Sequence, residues 1–186
     1  MKTAPTKMFR SLICVTLLCA GIYLAFTAVV QADDDRPAPY LPTPLYDSVQ
    51  VPPGHKVASH VYAQGVQIYR WNGASWVFVA PSADLFADAN YQRKVGTHYG
   101  GPNWESNNSS KVIGSRDAGC APNPTAIAWL RLKAVSTSKF GIYNKVTFTQ
   151  RVNTISGLAP TVPGTAINEL AEVPYTTEYY FYRTED

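Results

Sequence analysis

The stretch Gly96-Thr97-His98-Tyr99-Gly100-Gly101-Pro102-Asn103-Trp104-Glu105 gathers an imidazole, two aromatic rings and a carboxylate around a Gly-Gly-Pro bend. Glycines at such a bend let backbone come close to another group, because they carry no Cβ. Two readings follow. In the first, His98 is the polar contact or the acid/base of a cleft and Trp104 is its stacking wall. In the second, the block is only a strand end with a wedged tryptophan and a hydrogen-bonded histidine, since aromatic side chains dominate β cores. Arg151 stands among Thr147 and Thr149 on one face of an alternating run and can orient an anionic group. With Tyr69, Tyr99 and Glu105, these residues form the candidate ligand-binding set.

Other chemistries lack their residues. No Gly-x-Gly-x-x-Gly follows a strand pattern and no phosphate loop occurs, so nucleotide cofactors have no cradle. Neither a Gly-x-Ser-x-Gly elbow nor His-Glu-x-x-His nor Cys-x-x-Cys is present. His55, His60 and His98 are the only histidines, and a spacing of five between the first two suits neither a helical nor an alternating-strand ligand pair. Nothing in the spacing of Glu105 and Glu178 pairs them as hydrolase carboxylates. The expectation is no catalytic set, no metal and no cofactor.

The elements that must position these residues read as strands. Val57, Ser59, Val61 and Ala63 alternate, and residues 66–71 continue with period two. Asn72-Gly73 then separates that run from 75–79, a strong hairpin signal. Further β patterns fall at 94–99, 104–105, 111–114, 126–134, 140–143, 146–152 and 175–182. Between them, 81–86 reads as a helical or surface turn, 117–124 as a loop, 156–164 as a loop and 166–172 as a short helix. About eight short strands with intervening turns predict an all-β fold, a single antiparallel β-sandwich or barrel. Residues 33–54, with six prolines, read as an extended lead-in draped before a β-domain at 55–186.

Of 16 Lys and Arg, three (Lys2, Lys7, Arg10) precede the uncharged run 11–30, leaving 13 basic against 13 acidic residues from Asp33 onward. The excess of +3 therefore belongs to the leader, and a polybasic nucleic-acid binder is disfavoured. A cationic start, an apolar run and Val30-Gln31-Ala32 before Asp33 match a secretory signal over 1–32, which predicts an exported protein, periplasmic or extracellular. An apolar run of that length also suits an uncleaved anchor, the one case in which the membrane is a partner. Beyond the leader a single thiol remains, Cys120, either a buried apolar filler or a reactive or intermolecular thiol. Charge is uneven: residues 90–151 carry nine Lys and Arg and two acids, with net negative flanks.

Gly65-Val66-Gln67-Ile68-Tyr69, Gly96–Trp104, Ile127-Ala128-Trp129-Leu130, Gln150-Arg151-Val152-Asn153-Thr154 and Val173-Pro174-Tyr175 with Tyr179-Tyr180-Phe181-Tyr182 occur in this order. Together these blocks resemble the bacterial and fungal "domain of unknown function 3455" family over about residues 51–183. The resemblance implies an exported protein and supplies no activity. Such families often carry one Cys two residues after the first block and a second after the Gly-Leu-Ala-Pro-like loop; here those positions hold Trp71 and Thr165. The resemblance thus implies that a disulfide has been lost and that packing, with Trp71, holds the contact instead.

Three functional readings stand. The first is a non-catalytic exported domain binding a small molecule, glycan or surface component through its 20 aromatics beyond the leader. The second is a structural envelope-associated protein with a Pro-rich stem. The third is an exported enzyme using His98 as acid/base, which requires a solvent-reachable imidazole beside a second polar group.

Overall fold

The computed structural model describes residues 36–185; the leader lies outside them. Eight strands make one sheet: β1 (His55–Trp71), β2 (Trp76–Phe86), β3 (Lys94–Tyr99), β4 (Asn103–Ser106), β5 (Lys111–Cys120), β6 (Trp129–Thr137), β7 (Phe148–Ser156) and β8 (Leu170–Thr184). Each pairs antiparallel with its chain neighbour, and β8 returns to pair with β1 along most of its length. The result is a closed up-and-down barrel, which removes the free edges an open sheet would expose. The choice between sandwich and barrel falls to the barrel.

Period-two alternation decides what each face buries. Along β8, Tyr175, Thr177, Tyr179 and Phe181 point into the barrel, where Tyr179 and Phe181 meet Trp104, Leu132 and Tyr143 in the main core. The alternate residues Tyr180 and Tyr182 face outward, yet they too are buried. A second cluster covers them: Val57, Val152 and Phe148 from the sheet, with Leu41 and Val51 from the lead-in. An aromatic strand apolar on both faces is thus explained by a barrel core inside and a draped segment outside.

The lead-in is tied down by specific bonds. Gln150, 1 % exposed, donates from Nε2 to the Val49 carbonyl at 2.6 Å and accepts the Tyr182 hydroxyl at 2.8 Å. Tyr46 stacks on Trp129 at 4.8 Å, and Arg131 donates to the Gln50 carbonyl. The described part of the lead-in, from Arg36, includes a turn at 43–46 and one 3-10 turn at Asp47–Val49.

Long strands in a small barrel must bend, and the bends have identifiable residues. A Cβ on Gly65 would lie 2.2 Å from the Ser82 carbonyl oxygen, so only glycine lets β1 approach β2 there. Register shifts occur in β2 at Val79, opposite Ile68/Tyr69, in β5 at Arg116/Ala118 and in β7 at Val152/Ile155. Asn153 has φ 53, the left-handed region that asparagine tolerates.

Several sequence expectations are corrected. Residues 81–86 are the second half of β2, because Pro81 pairs opposite Gln67 without needing to donate. Residues 117–120 extend β5 through a bulge. Residues 140–143 form a turn rather than a strand, with Tyr143 alone inserted into the core. Residues 166–169 are bend and turn, and β8 starts at Leu170, four residues before Pro174. The Asn72-Gly73 hairpin is present, with Asn72 Oδ1 accepting from the Ala74 and Ser75 amides. Cys120 is free and half-buried, and burial pushes its thiol above the ordinary range.

Candidate functional site

The register of β3 to β5 places His98 directly opposite Trp104, and Trp104 opposite Val112, so all three share the inner face. On the other side of the barrel, Arg151 stands opposite both Leu130 of β6 and Tyr179 of β8. Arg116 stands opposite Leu132. Gln67 of β1 faces Pro81 of β2. These pairs line a cavity of about 210 Å³, rimmed by the Gly100-Gly101-Pro102 turn and by Phe78 and Val79. Val79 falls at the register shift where Ala80 pairs with Ile68 and Phe78 with Tyr69. That extra residue brings two adjacent side chains of β2 to the cavity.

The rim turn also fixes the histidine. His98 Nδ1 lies 2.8 Å from the Asn103 carbonyl oxygen. A carbonyl only accepts, so Nδ1 carries the proton and Nε2 is left as an acceptor. Asn103 in turn donates from Nδ2 to the Gly100 carbonyl, closing the turn on itself. The imidazole is 3 % exposed and its pKa is pushed down to about 3. Burial is the main cause and the Arg151 charge adds to it, while the Asn103 bond opposes them. At neutral pH the ring is uncharged.

Trp104 stacks on His98 with centroids 4.6 Å apart, and Tyr179 meets both rings edge-on. Yet Trp104 Nε1, Tyr179 OH and Gln67 Nε2 have no hydrogen-bond partner although each is shut off from solvent. An unpartnered buried donor costs about 1–3 kcal/mol. Burial drives the Tyr179 phenol well above its ordinary range, so it stays protonated.

The two arginines complete the wall. Arg151 donates from Nε and Nη2 to the Ala128 carbonyl at 3.1 and 2.8 Å, which clamps its plane. Among the described residues, neither Arg116 nor Arg151 has a carboxylate partner, and no acid lines the cavity. Three other basic residues of the central stretch are paired with carboxylates. Asp117 takes Arg131 at 2.6 Å and Lys133 at 3.1 Å, and Lys111 takes Glu105 at 3.0 Å.

Of the residues singled out from sequence, His98, Trp104 and Arg151 therefore meet at one cavity. Tyr99 and Glu105 point the other way: the Tyr99 hydroxyl donates to Glu105 Oε2 at 2.6 Å, with the Lys111 ammonium over the Tyr99 ring. Tyr69 donates to the Gly157 carbonyl at 2.7 Å and does not line the cavity. Sequence reasoning did not single out Gln67, Arg116 and Tyr179. Alternation from Val112 through Gly114 to Arg116 carries the signal for Arg116, obscured by reading a loop from Asp117 onward.

Chemically the cavity offers several donors, one imidazole acceptor and an apolar flank of Phe78, Val79, Pro81, Leu130 and Leu132. No hydroxyl of Ser or Thr, thiol, lysine or carboxylate lines it; the titratable neighbours of His98 there are the phenol of Tyr179 and the guanidinium of Arg151. Among the described residues, no three His, Cys, Asp or Glu side chains converge on a metal position. The enclosed, backbone-bonded imidazole does not meet the condition that acid/base use of His98 required.

No curated protein and no solved structure matches the chain. The family described as "Protein of unknown function (DUF3455)" matches residues 52–183, which spans every strand from β1 to β7 and β8 up to Arg183. The chain belongs to the DUF3455 family.

Proposed function

We propose that this domain is a non-catalytic binding protein that takes a small molecule into the mouth of its barrel. One observation carries the reading: a cavity of about 210 Å³ sets an apolar flank beside the imidazole of His98, the phenol of Tyr179 and the guanidinium groups of Arg116 and Arg151. The apolar flank suits the usual composition of ligand sites, and the mouth of a barrel is a common place for one. Ligand pockets commonly run from about 300 Å³ upward, so the occupant is smaller than a typical drug.

We infer an exported location from the cationic, then apolar, leader. N-terminal sequencing of the purified protein would show a start at Asp33; an intact leader would favour the envelope-anchored, structural reading.

Binding is tested with the neutral fluorescent probe N-phenyl-1-naphthylamine. Its emission should rise on adding the protein, and the indole N–H resonance of Trp104 should shift in NMR spectra. Val79→Trp, at a half-exposed rim position, should weaken binding about tenfold by filling the mouth without touching the core. Absence of any Trp104 shift would remove the binding reading.

A further inference from the structure

We infer that the ligand is a small organic carboxylate, its anionic head held by Arg116 and Arg151 and its apolar body laid on Leu130 and Leu132. This rests on the cavity being a binding site and adds the charge and shape of its occupant. The cavity wall contains two guanidinium groups and no acid. Unlike Arg131, which is paired with Asp117, neither has a carboxylate counter-ion among the described residues. Arg116 is exposed at the cavity and Arg151 is half-buried, so an anion can reach both, and a charge-assisted hydrogen bond to a guanidinium is about twice as strong as a neutral one.

The geometry of the strands supports one head and one body. Arg116 lies opposite Leu132 and Arg151 opposite Leu130, so the two guanidinium groups flank a leucine pair on the intervening strand β6. Arg151 spends Nε and Nη2 on the Ala128 carbonyl and has the Tyr179 hydroxyl beside its guanidinium, which fixes its plane at the cavity wall. Two planar forks suit a planar carboxylate. His98 is neutral and adds no positive charge, so the field in the cavity is that of the two arginines.

The test is competition against bound N-phenyl-1-naphthylamine at pH 7.5, comparing 2-naphthoate with the isosteric 2-naphthamide. The carboxylate should displace the probe at about tenfold lower concentration, the scale of a charge-assisted hydrogen bond. In Arg116→Gln that preference should shrink about fivefold or more. If the probe binds and acid and amide compete equally, or the preference survives Arg116→Gln unchanged, the carboxylate inference falls while the binding site stands. If the probe itself fails to bind the wild-type protein, the binding reading falls, and this inference with it.

Discussion

The imidazole of His98 lies flat on the indole of Trp104, centroids 4.6 Å apart and planes 11° from parallel, while its Nδ1–H is held by the Asn103 carbonyl. A β3–β4 hairpin whose strands span only six and four residues thus locks both ring orientation and tautomer. The pair is a rigid wall of the cavity, and its polar edge has one acceptor and one donor.

This geometry makes His98 inert over the physiological range. Burial pushes its pKa down to about 3 from the ordinary 6.5. Above pH 6.5 both native and unfolded states hold it neutral, so it costs nothing. As pH falls from there toward 3, the unfolded chain takes up a proton that the native state refuses, and stability declines. The full difference is on the order of 4 kcal/mol. The His98 Cε1–H resonance should therefore stay flat from pH 8 down to 4.5, and His98→Gln should show a shallower loss of stability between about pH 6 and 4. A His98 titration midpoint near 6 would contradict the enclosed site.

Gln150 holds the lead-in to the barrel through the Val49 carbonyl and the Tyr182 hydroxyl. Gln150→Leu keeps the volume and orphans both partners, so stability should drop by about 2–4 kcal/mol. Tyr182→Phe removes one of the same bonds. The two substitutions should therefore cost less together than the sum of their separate effects, read by urea unfolding.

Trp71 packs against the loop that carries Gly164 and Thr165: a Cβ on Gly164 would lie 2.6 Å from Trp71 Cγ. Backbone bonds from Trp71 to Glu169 and from Asn168 to Trp71 hold the same loop. Trp71→Cys with Thr165→Cys, in a Cys120→Ser background, should oxidise to an intrachain disulfide seen as a two-dalton loss by mass spectrometry. It closes a loop of roughly 95 residues, so the oxidised form should melt above its reduced form. Two free thiols after air oxidation would show that the positions are not in register.

Much of the barrel is written in the chain itself. Alternation in 57–63 and 66–71, the Asn72-Gly73 turn, and the count of short apolar runs dictate an antiparallel all-β domain, because side chains on a strand reverse face at every residue. The Gly96–Trp104 block lies at the wall of the cavity, but its residues alone suit a wedged strand end as well as a ligand cleft, because aromatic side chains also fill β cores. Register and closure are not local properties. A single bulge at Arg116/Ala118 reassigns every side chain beyond it; the pairing of β7 with β8 brings Tyr179 beside Arg151, and only the closing pairing of β8 with β1 brings it beside Val61. Composition sees a basic central stretch; the barrel decides that Arg131, Lys133 and Lys111 meet carboxylates outside while Arg116 and Arg151 are left without one at a cavity. The sequence determines which faces are apolar, through short-range periodicity. Which donors are buried without partners depends on contacts across the barrel, and those exist only once it closes.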